Sequence, residues 1–271
     1  YVKPNHRDKR IVNPALIRQR KPIGREKAFI DVGLNNLFAV TTTNGYAILV
    51  KGGSIKSEYY YWKREIALWQ SVRDLTRNWN LPTWRYYHRL YLRAVFKRNE
   101  RLRHLYRTAI RFIADELWRL GVDEVFIGYP YGVSHDNGNE YNTNIWWYNK
   151  IIKWLVEVLE EYGIKAHLVD ESYTSRVCSI CGEIHENGRV YRGLYVCMKT
   201  SRMINADINA SLNIARKNEY NVALRYKIMS YQVTSNGIKP LNPHQGANAR
   251  DLQHVNPTLQ GGKEVIRVLM E

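Results

Sequence analysis

Three short apolar segments fill the stretch AFIDVGLNNLFAVTTTNGYAILV, residues 28–50 of the chain. The segments 28–32, 37–43 and 46–50 are rich in β-branched and apolar residues, which favour extended structure. The last two are separated by Asn44-Gly45, a strong signal for a two-residue hairpin turn. The stretch therefore predicts three consecutive strands with antiparallel pairing.

Helical and strand-like patterns alternate in the rest of the first 217 residues. They predict helices at 57–80, 83–120, 145–162 and 205–217, and strands at 122–127 and 164–169. Leu81-Pro82 is expected to separate the first two helices. A strand, a helix and a second strand in that order imply a parallel crossover. The full order is that of an α/β, RNase H-like fold, a mixed sheet with helices on both faces.

Composition divides the chain into further parts. Residues 1–27 are basic and punctuated by proline, and we expect them to be the remnant of a preceding nucleic-acid-binding domain. The main domain is predicted at 28–217, with a helical insertion at 55–120 and a small insertion at 172–204. Residues 218–271 are rich in Asn, Gln, Gly and Pro, and are predicted to be an irregular tail.

The charge balance indicates a polyanionic partner. The chain has 41 Lys and Arg against 25 Asp and Glu, a formal net charge of +16. Cationic side chains that neutralise phosphates release condensed counterions, so this excess favours nucleic acid over a merely basic surface. No run of eighteen apolar residues occurs, so no membrane partner is expected.

The positive charge is concentrated in the second long helix. Five cationic residues recur there at a spacing of four, and we call them the basic row: Arg85, Arg89, Arg93, Lys97 and Arg101. This spacing keeps neighbouring members close together on a helix, where they suit phosphate contacts. Aromatic residues interleave with the row: Trp84, Tyr86, Tyr87 and Tyr91. Aromatic rings could stack on bases, but we expect most of them to belong to the core.

Three carboxylates stand at the ends of predicted elements. Asp31 ends the first strand, Glu171 follows the last parallel strand, and Asp207 lies in the first turn of the last helix. Mg²⁺ prefers oxygen ligands, and two such ions can promote phosphodiester hydrolysis. Taken singly, each residue has an ordinary alternative as a turn, helix-dipole or solvated side chain. Together they make a candidate site for Mg²⁺ or Mn²⁺.

All three cysteines lie between residues 178 and 197, and Cys178 and Cys181 form a Cys-x-x-Cys pair. A disulfide framework is normally even in number and spread along the chain. The clustered, odd set instead indicates a metal site in a reducing compartment.

Three ordered strings resemble motifs of the TnpB family of transposon-encoded RNA-guided nucleases. They are IDVGLNNL at 30–37, ESYTSRVCSICG at 171–182 and NADINASLNI at 205–214. The resemblance covers roughly residues 25 to 217. It implies a RuvC-like core, a guide RNA, a target DNA, and residence in the prokaryotic cytoplasm near the nucleoid.

Two positions depart from the family pattern. Many members carry the second catalytic acid where this chain has Gly128, whereas a subset related to Fanzor nucleases has a relocated glutamate where Glu171 stands. The resemblance therefore assigns the second acid to Glu171 and not to Asp170, because neighbours on an extended segment face opposite ways. The fourth zinc ligand is also missing after Cys197, and His185 is the candidate to complete a three-Cys, one-His zinc site.

The resemblance thus implies an RNA-guided DNA endonuclease that uses Asp31, Glu171 and Asp207. Gly128 leaves open a nuclease-dead nucleic-acid-binding regulator, and a guide-independent DNA nuclease is a third reading. The oligomeric state does not follow from the sequence.

Overall fold

A seven-stranded mixed sheet forms the centre of the computed structural model, which describes residues 20–129, 147–191 and 193–241. The strands are β1 (Glu26–Asp31), β2 (Asn36–Thr42), β3 (Ala47–Lys51), β4 (Val122–Tyr129), β5 (Lys165–Asp170), β6 (Arg189–Tyr191), β7 (Leu194–Val196), β8 (Met203–Asn205), β9 (Met229–Thr234) and β10 (Gly237–Pro240). The α-helices are α1 (Gly53–Leu75), α2 (Leu81–Arg119), α3 (Tyr148–Glu161) and α4 (Ala206–Lys217). The large sheet has the order β10-β9-β3-β2-β1-β4-β5, and β6-β7-β8 form a second, small sheet.

The predicted fold class is confirmed. Strands β1, β2 and β3 pair antiparallel in sequence, and β1, β4 and β5 pair parallel. The turn between β2 and β3 uses Gly45 at a φ of 91°, a left-handed conformation that glycine adopts without a steric cost. Parallel pairing brings the carboxyl ends of β1, β4 and β5 to one edge of the sheet, which is where the candidate residues lie.

Helices cover both faces of the sheet. Alternate side chains of β1 show this directly, because Ala28 and Ile30 face the large core whereas Phe29 faces the other side. Helices α1, α2 and α3 contribute to the large core. Helix α4 covers the opposite face, where Ile214 packs against Phe29 and Ile208 packs against Leu49. Helix α4 therefore holds its N-terminal turn against the central strands.

The boundary between the first two long helices differs from the prediction. Leu81-Pro82 does not separate them, because both residues belong to the first turn of α2. A 3₁₀ turn at Thr76–Asn78 makes the break instead. Proline is compatible with a first helical turn, where its missing N–H would have no helical acceptor. The Asn80 side chain caps the helix by accepting a hydrogen bond from the Thr83 amide at 2.9 Å.

The prediction of an irregular segment after residue 218 is wrong for residues 229–240. Strand β9 pairs parallel with β3, and β10 pairs antiparallel with β9, so these residues extend the sheet at one edge. Only Val233 of β9 is fully buried, and the other residues of β9 are half-buried and mostly polar or aromatic. This mixed composition hid the strand because long-range pairing, and not local pattern, decides its structure.

Replacing Val233 by alanine is expected to lower the free energy of unfolding by about 2 kcal/mol, because it removes buried methyl groups from the core. Chemical denaturation measures this change, and Lys239→Ala on the exposed part of β10 is the matched control. Unchanged stability in the Val233 variant would mean that residues 229–240 are not part of the folded sheet.

The predicted domain start at residue 28 lies inside β1, which begins at Glu26. The segment before β1 also packs on the main domain. The Arg20 amide donates to the Glu161 carbonyl at 3.0 Å, and its guanidinium lies over the rings of Trp118 and Tyr162. The predictions for residues 1–19, 145–146 and 242–271 fall outside the described residues.

Candidate functional site

Asp31, Glu171 and Asp207, here called the carboxylate cluster, are brought together by three different elements. Asp31 ends β1, Glu171 follows β5, and Asp207 stands in the first turn of α4. Strand β4 lies between β1 and β5 and pairs with both. The Asn205 side chain caps α4 by accepting from the amides of Asp207 and Ile208, which fixes the start of that helix.

The negative charges of Asp207 and Glu171 act on Asp31. The pKa of Asp31 is raised well above its usual range, first by burial and then by the negative charges of Asp207 and Glu171. Arg189 opposes this shift in part. Like charges that share a buried site cannot all ionise cheaply without a cation nearby. The cluster therefore has the electrostatic character of a site for a divalent cation.

The Glu171 side chain occupies the space beside Gly128. A Cβ atom added at Gly128 would lie 2.9 Å from Oε2 of Glu171 and 3.3 Å from its Cβ. Oε2 is buried, and it has no hydrogen-bond partner among the described residues. Burial, followed by the charge of Asp170, raises the pKa of Glu171 to about 7 although Lys217 opposes the shift. The carboxyl group thus lies where the missing acid at Gly128 would begin.

Asp170 faces solvent, as the alternation of an extended segment predicts. Its carboxylate accepts hydrogen bonds from the amide and hydroxyl of Ser172, at 3.0 and 2.6 Å, and from Nζ of Lys217 at 3.1 Å. These contacts lower the pKa of Asp170 to about 2. Its oxygens are therefore engaged at the surface, whereas an oxygen of Glu171 is buried and unpartnered.

Three residues that the sequence did not single out stand around Asp207. Nδ2 of Asn36 donates to Oδ2 of Asp207 at 2.6 Å, and Nη2 of Arg189 lies 3.4 Å from Oδ1. Lys51 pairs with Asn36 across the ladder between β2 and β3. Burial lowers the pKa of Lys51, and the charge of Asp207 opposes that shift. Local sequence gives no signal for these contacts, since they arise from strand register and from packing of the 172–204 insertion.

Tyr148 borders the cluster at the start of α3. Its hydroxyl donates to the Gly128 carbonyl at 2.9 Å. Burial raises the pKa of Tyr148, and the charges of Glu171 and Asp31 raise it further. The hydroxyl therefore stays protonated and holds the backbone against which Glu171 packs.

The second candidate site lies in the 172–204 insertion, here called the zinc lobe. The ligand atoms of Cys178, Cys181, His185 and Cys197 all lie within 4.8 Å of one another. Nε2 of His185 is 3.2 Å from Sγ of Cys181, so the structure brings His185 to the three thiols as predicted. Among the described residues, the carboxylate oxygens of Asp31, Glu171 and Asp207 do not form such a tight group.

This donor set fits zinc. Tetrahedral Zn²⁺ with Zn–S bonds of about 2.3 Å would hold its ligand atoms about 3.8 Å apart, so only small movements are needed. Burial raises the pKa of Cys197, but hydrogen bonds from Thr200 and His185 outweigh burial and bring that pKa to about 6. Thr200, which occupies the position of a second cysteine of the pair, therefore lies against the sulfur of Cys197.

All five members of the basic row are exposed on α2. Arg101 makes an ion pair with Glu58 at 2.9 Å, and Nζ of Lys97 lies 6.0 Å from the centre of the Trp62 ring. Three of the interleaved aromatic residues of α2 are half-buried: Trp84, Tyr87 and Tyr91. The fourth, Tyr86, is exposed. The row therefore presents its charge to solvent, which fits a phosphate-binding surface.

No helix in the described part of the chain is both long and apolar enough to cross a membrane.

Comparison with known proteins gives two family matches. Residues 5–134 match OrfB_IS605, described as a probable transposase, and residues 148–214 match the TNB domain of Cas12f1-like proteins. The "TnpB-like protein ORF457" of Acidianus two-tailed virus is 33% identical over 205 residues, which are 74% of this chain and 44% of the relative. Cas12f1 of Sulfoacidibacillus thermotolerans, a CRISPR-associated endodeoxyribonuclease, is 36% identical over 83 residues, 31% of this chain and 19% of that protein.

Solved structures show the same fold at low sequence identity. A Cas12f1–sgRNA–target DNA complex has a TM-score of 0.55 at 20% identity, covering 73% of this chain and 39% of that one. A CRISPR-Cas12f ternary complex has a TM-score of 0.56 at 19% identity, covering 72% and 39%. The chain thus spans less than half the length of these relatives. The sequence matches agree with the fold: the chain is similar to OrfB_IS605, TnpB-like and Cas12f1-like proteins.

Proposed function

We propose that the chain is the nuclease part of an RNA-guided DNA endonuclease. The observation that carries the proposal is the carboxylate cluster, with its half-buried Asp31 and the buried, unpartnered Oε2 of Glu171. The similarities support it, since the similar proteins include an endodeoxyribonuclease and a protein solved with guide RNA and target DNA. In this proposal base pairing with the guide supplies sequence specificity.

Asp31, Glu171 and Asp207 would hold Mg²⁺ or Mn²⁺. The donor set is all oxygen, as these ions prefer, and a cation would relieve the repulsion that raises the pKa of Asp31. When bound, such ions would supply Lewis-acid activation of water and stabilisation of the leaving oxygen of a phosphodiester. Asn36 keeps Asp207 oriented by donating to one of its oxygens. Tyr148 holds the Gly128 backbone, which keeps the Glu171 carboxyl in place.

Two cations at the cluster are suited to binding the DNA phosphate. Arg189 reaches Asp207 from β6 of the zinc lobe, and Lys51 reaches the same region from the end of β3. Neither charge is needed to balance the cluster once divalent cations are bound. We propose that both side chains then contact the phosphate that is cleaved, and that the zinc lobe positions Arg189.

Lys51→Met is expected to lower the cleavage rate by about tenfold to a hundredfold, because it removes a charged hydrogen bond to phosphate. Single-turnover cleavage at saturating Mg²⁺ measures the change, and Lys51→Arg should recover part of it. Lys165→Met removes an exposed lysine of β5 and serves as the control. Equal rates for Lys51→Met and the unsubstituted chain would exclude the phosphate contact.

The basic row would bind the phosphate backbone of the guide RNA or the target DNA. Its members are exposed, and α2 holds them on a rigid helix of 39 residues beside the central sheet. Phosphate contacts of this kind position a nucleic acid without reading its sequence.

The glycine at Gly128 favours a second candidate function. Without an acid there, the chain would be a nuclease-dead nucleic-acid-binding regulator if Glu171 did not complete the site. A guide-independent DNA nuclease is a third candidate, which differs in needing no RNA.

One experiment separates the three candidates. RNA that copurifies with the chain is sequenced, and matched or unmatched DNA is offered with Mg²⁺ or Mn²⁺. The proposal expects cleavage of matched DNA only with RNA present, and none by Asp31→Ala. Binding without cleavage would support the regulator, whereas cleavage without RNA would support the guide-independent nuclease.

A further inference from the structure

An exposed phenylalanine stands among the arginines of α2. Phe96 has 64% of its surface exposed although it is a large apolar side chain. Residues three and seven positions apart share a helical face, so Phe96 lies on the same side as Arg89, Arg93 and Arg103. Leu92, one turn earlier, is 50% exposed. The solvent face of α2 therefore combines an apolar centre with cationic surroundings.

Aromatic residues near Phe96 already make ring contacts with other side chains of α1 and α2, whereas Phe96 makes none among the described residues. Trp84 stacks on His88 with ring centres 4.8 Å apart, and the Arg73 guanidinium lies 4.6 Å from the centre of the Tyr91 ring. Within residues 20–129, 147–191 and 193–241, Phe96 makes no ring contact. Arg89 and Arg93 likewise make no ion pair there. Both the ring and the nearby charges are thus available to a partner.

We propose that Phe96 stacks on a base of an unpaired nucleic-acid strand whose phosphates contact Arg89 and Arg93. The inference rests on the proposed function, because it takes nucleic acid as the partner. A flat ring amid cations is the arrangement with which proteins bind single strands, where stacking and phosphate contacts combine. In a duplex the base faces are covered by their neighbours, so the ring would have no face to contact.

The spacing of the arginines fits such a strand. Arg89 and Arg93 lie about 6 Å apart along the helix axis, and Phe96 follows about 4.5 Å further on. The ring therefore stands next to the phosphate-binding groups, within reach of a base attached to the same stretch of backbone.

The charges argue against two other occupants. A second copy of the chain that docked by the same face would bring its arginines against those of the first copy. An anionic membrane would match the charge, but membrane-surface helices bury a broad apolar face, and here Phe96 and Leu92 are surrounded by arginines. A single nucleic-acid strand satisfies both the ring and the charges.

Fluorescence anisotropy of the full chain tests the proposal without any cleavage. A labelled oligothymidine and a labelled hairpin duplex are titrated with zinc retained and no Mg²⁺ added. Phe96→Ala is expected to weaken binding of the single strand by about 5- to 100-fold and to leave duplex binding unchanged. Phe96→Trp should retain the affinity, and Phe96→Leu should not.

Leu68→Ala on α1 is the matched control, because it removes an apolar side chain of similar exposure from the other long helix. Unchanged strand binding by Phe96→Ala, or an equal loss on duplex, would overturn the stacking proposal. So would a Phe96-dependent change in self-association, or in sedimentation with vesicles of anionic phospholipid.

The two proposals fail separately. If Asp31→Ala abolished cleavage while Phe96→Ala bound the single strand normally, only the stacking proposal would fall. If the carboxylate variants still cleaved DNA while Phe96→Ala lost strand binding, only the assignment of the carboxylate cluster would fall.

Discussion

Replacing Glu171 by glutamine is expected to lower the rate of DNA cleavage by at least about a thousandfold, because metal ligation supplies several kcal/mol of transition-state stabilisation. Glutamine keeps the shape of the side chain and removes its charge. Nucleic-acid binding without divalent cations should be unchanged, since Glu171 is half-buried and is not a member of the basic row. Asp170→Asn is the adjacent control and should retain most activity, because Asp170 faces solvent.

A charge-relocation experiment separates the role of the carboxyl group from its position in the chain. Gly128→Glu alone is expected to disturb the site, because a Cβ there would lie 2.9 Å from Oε2 of Glu171. Combining it with Glu171→Ala removes that oxygen, and the tip of the Ile214 side chain, 2.8 Å away, is then the closest atom that must shift. The double variant should therefore recover most of the rate that Glu171→Ala loses. Full activity in Glu171→Gln would refute the role of Glu171.

Replacing Cys197 by serine is expected to remove bound zinc and to unfold the zinc lobe. Structural zinc contributes apparent binding free energies of about 10–16 kcal/mol in zinc-finger peptides, so its loss is large for a lobe built on two short hairpin pairings. Elemental analysis should find one zinc ion per unsubstituted chain and none in the variant. Cleavage should fall with it, because Arg189 belongs to the same lobe.

His185 offers a sharper test of the ligand set. His185→Ala should lose zinc, whereas His185→Ala combined with Thr200→Cys should regain it, because Thr200 lies against the sulfur of Cys197. The regained site would have four thiolates, another common structural set. Retention of zinc by His185→Ala alone would show that His185 is not the fourth ligand.

The central strands could be predicted because their local patterns agree with their tertiary environment. Residues 28–50 combine apolar runs with Asn44-Gly45, and the structure buries nearly all of β2 and β3. Helix α4 was equally clear, since Asn205 caps it as predicted. Strand β9 could not be found this way, because only Val233 enters the core and pairing with β3 joins distant parts of the chain.

The candidate site, like the fold, could be predicted from the sequence only in part. Asp31 and Asp207 follow from their motifs, and the absence of a side chain at Gly128 directs attention to Glu171. The structure adds that the Glu171 carboxyl lies against that glycine. Asn36, Lys51 and Arg189 could not be predicted, because they reach Asp207 through strand register and through packing of the zinc lobe.

A crystal structure with Mn²⁺, read by anomalous scattering, tests the central claim most directly. We expect two manganese peaks about 3.5–4 Å apart, bounded by carboxylate oxygens of Asp31, Glu171 and Asp207. Oε2 of Glu171, unpartnered among the described residues, should become a ligand. Manganese bound elsewhere, or bound by Asp31 and Asp207 with Glu171 turned away, would contradict the assignment of Glu171 as the acid that compensates for Gly128.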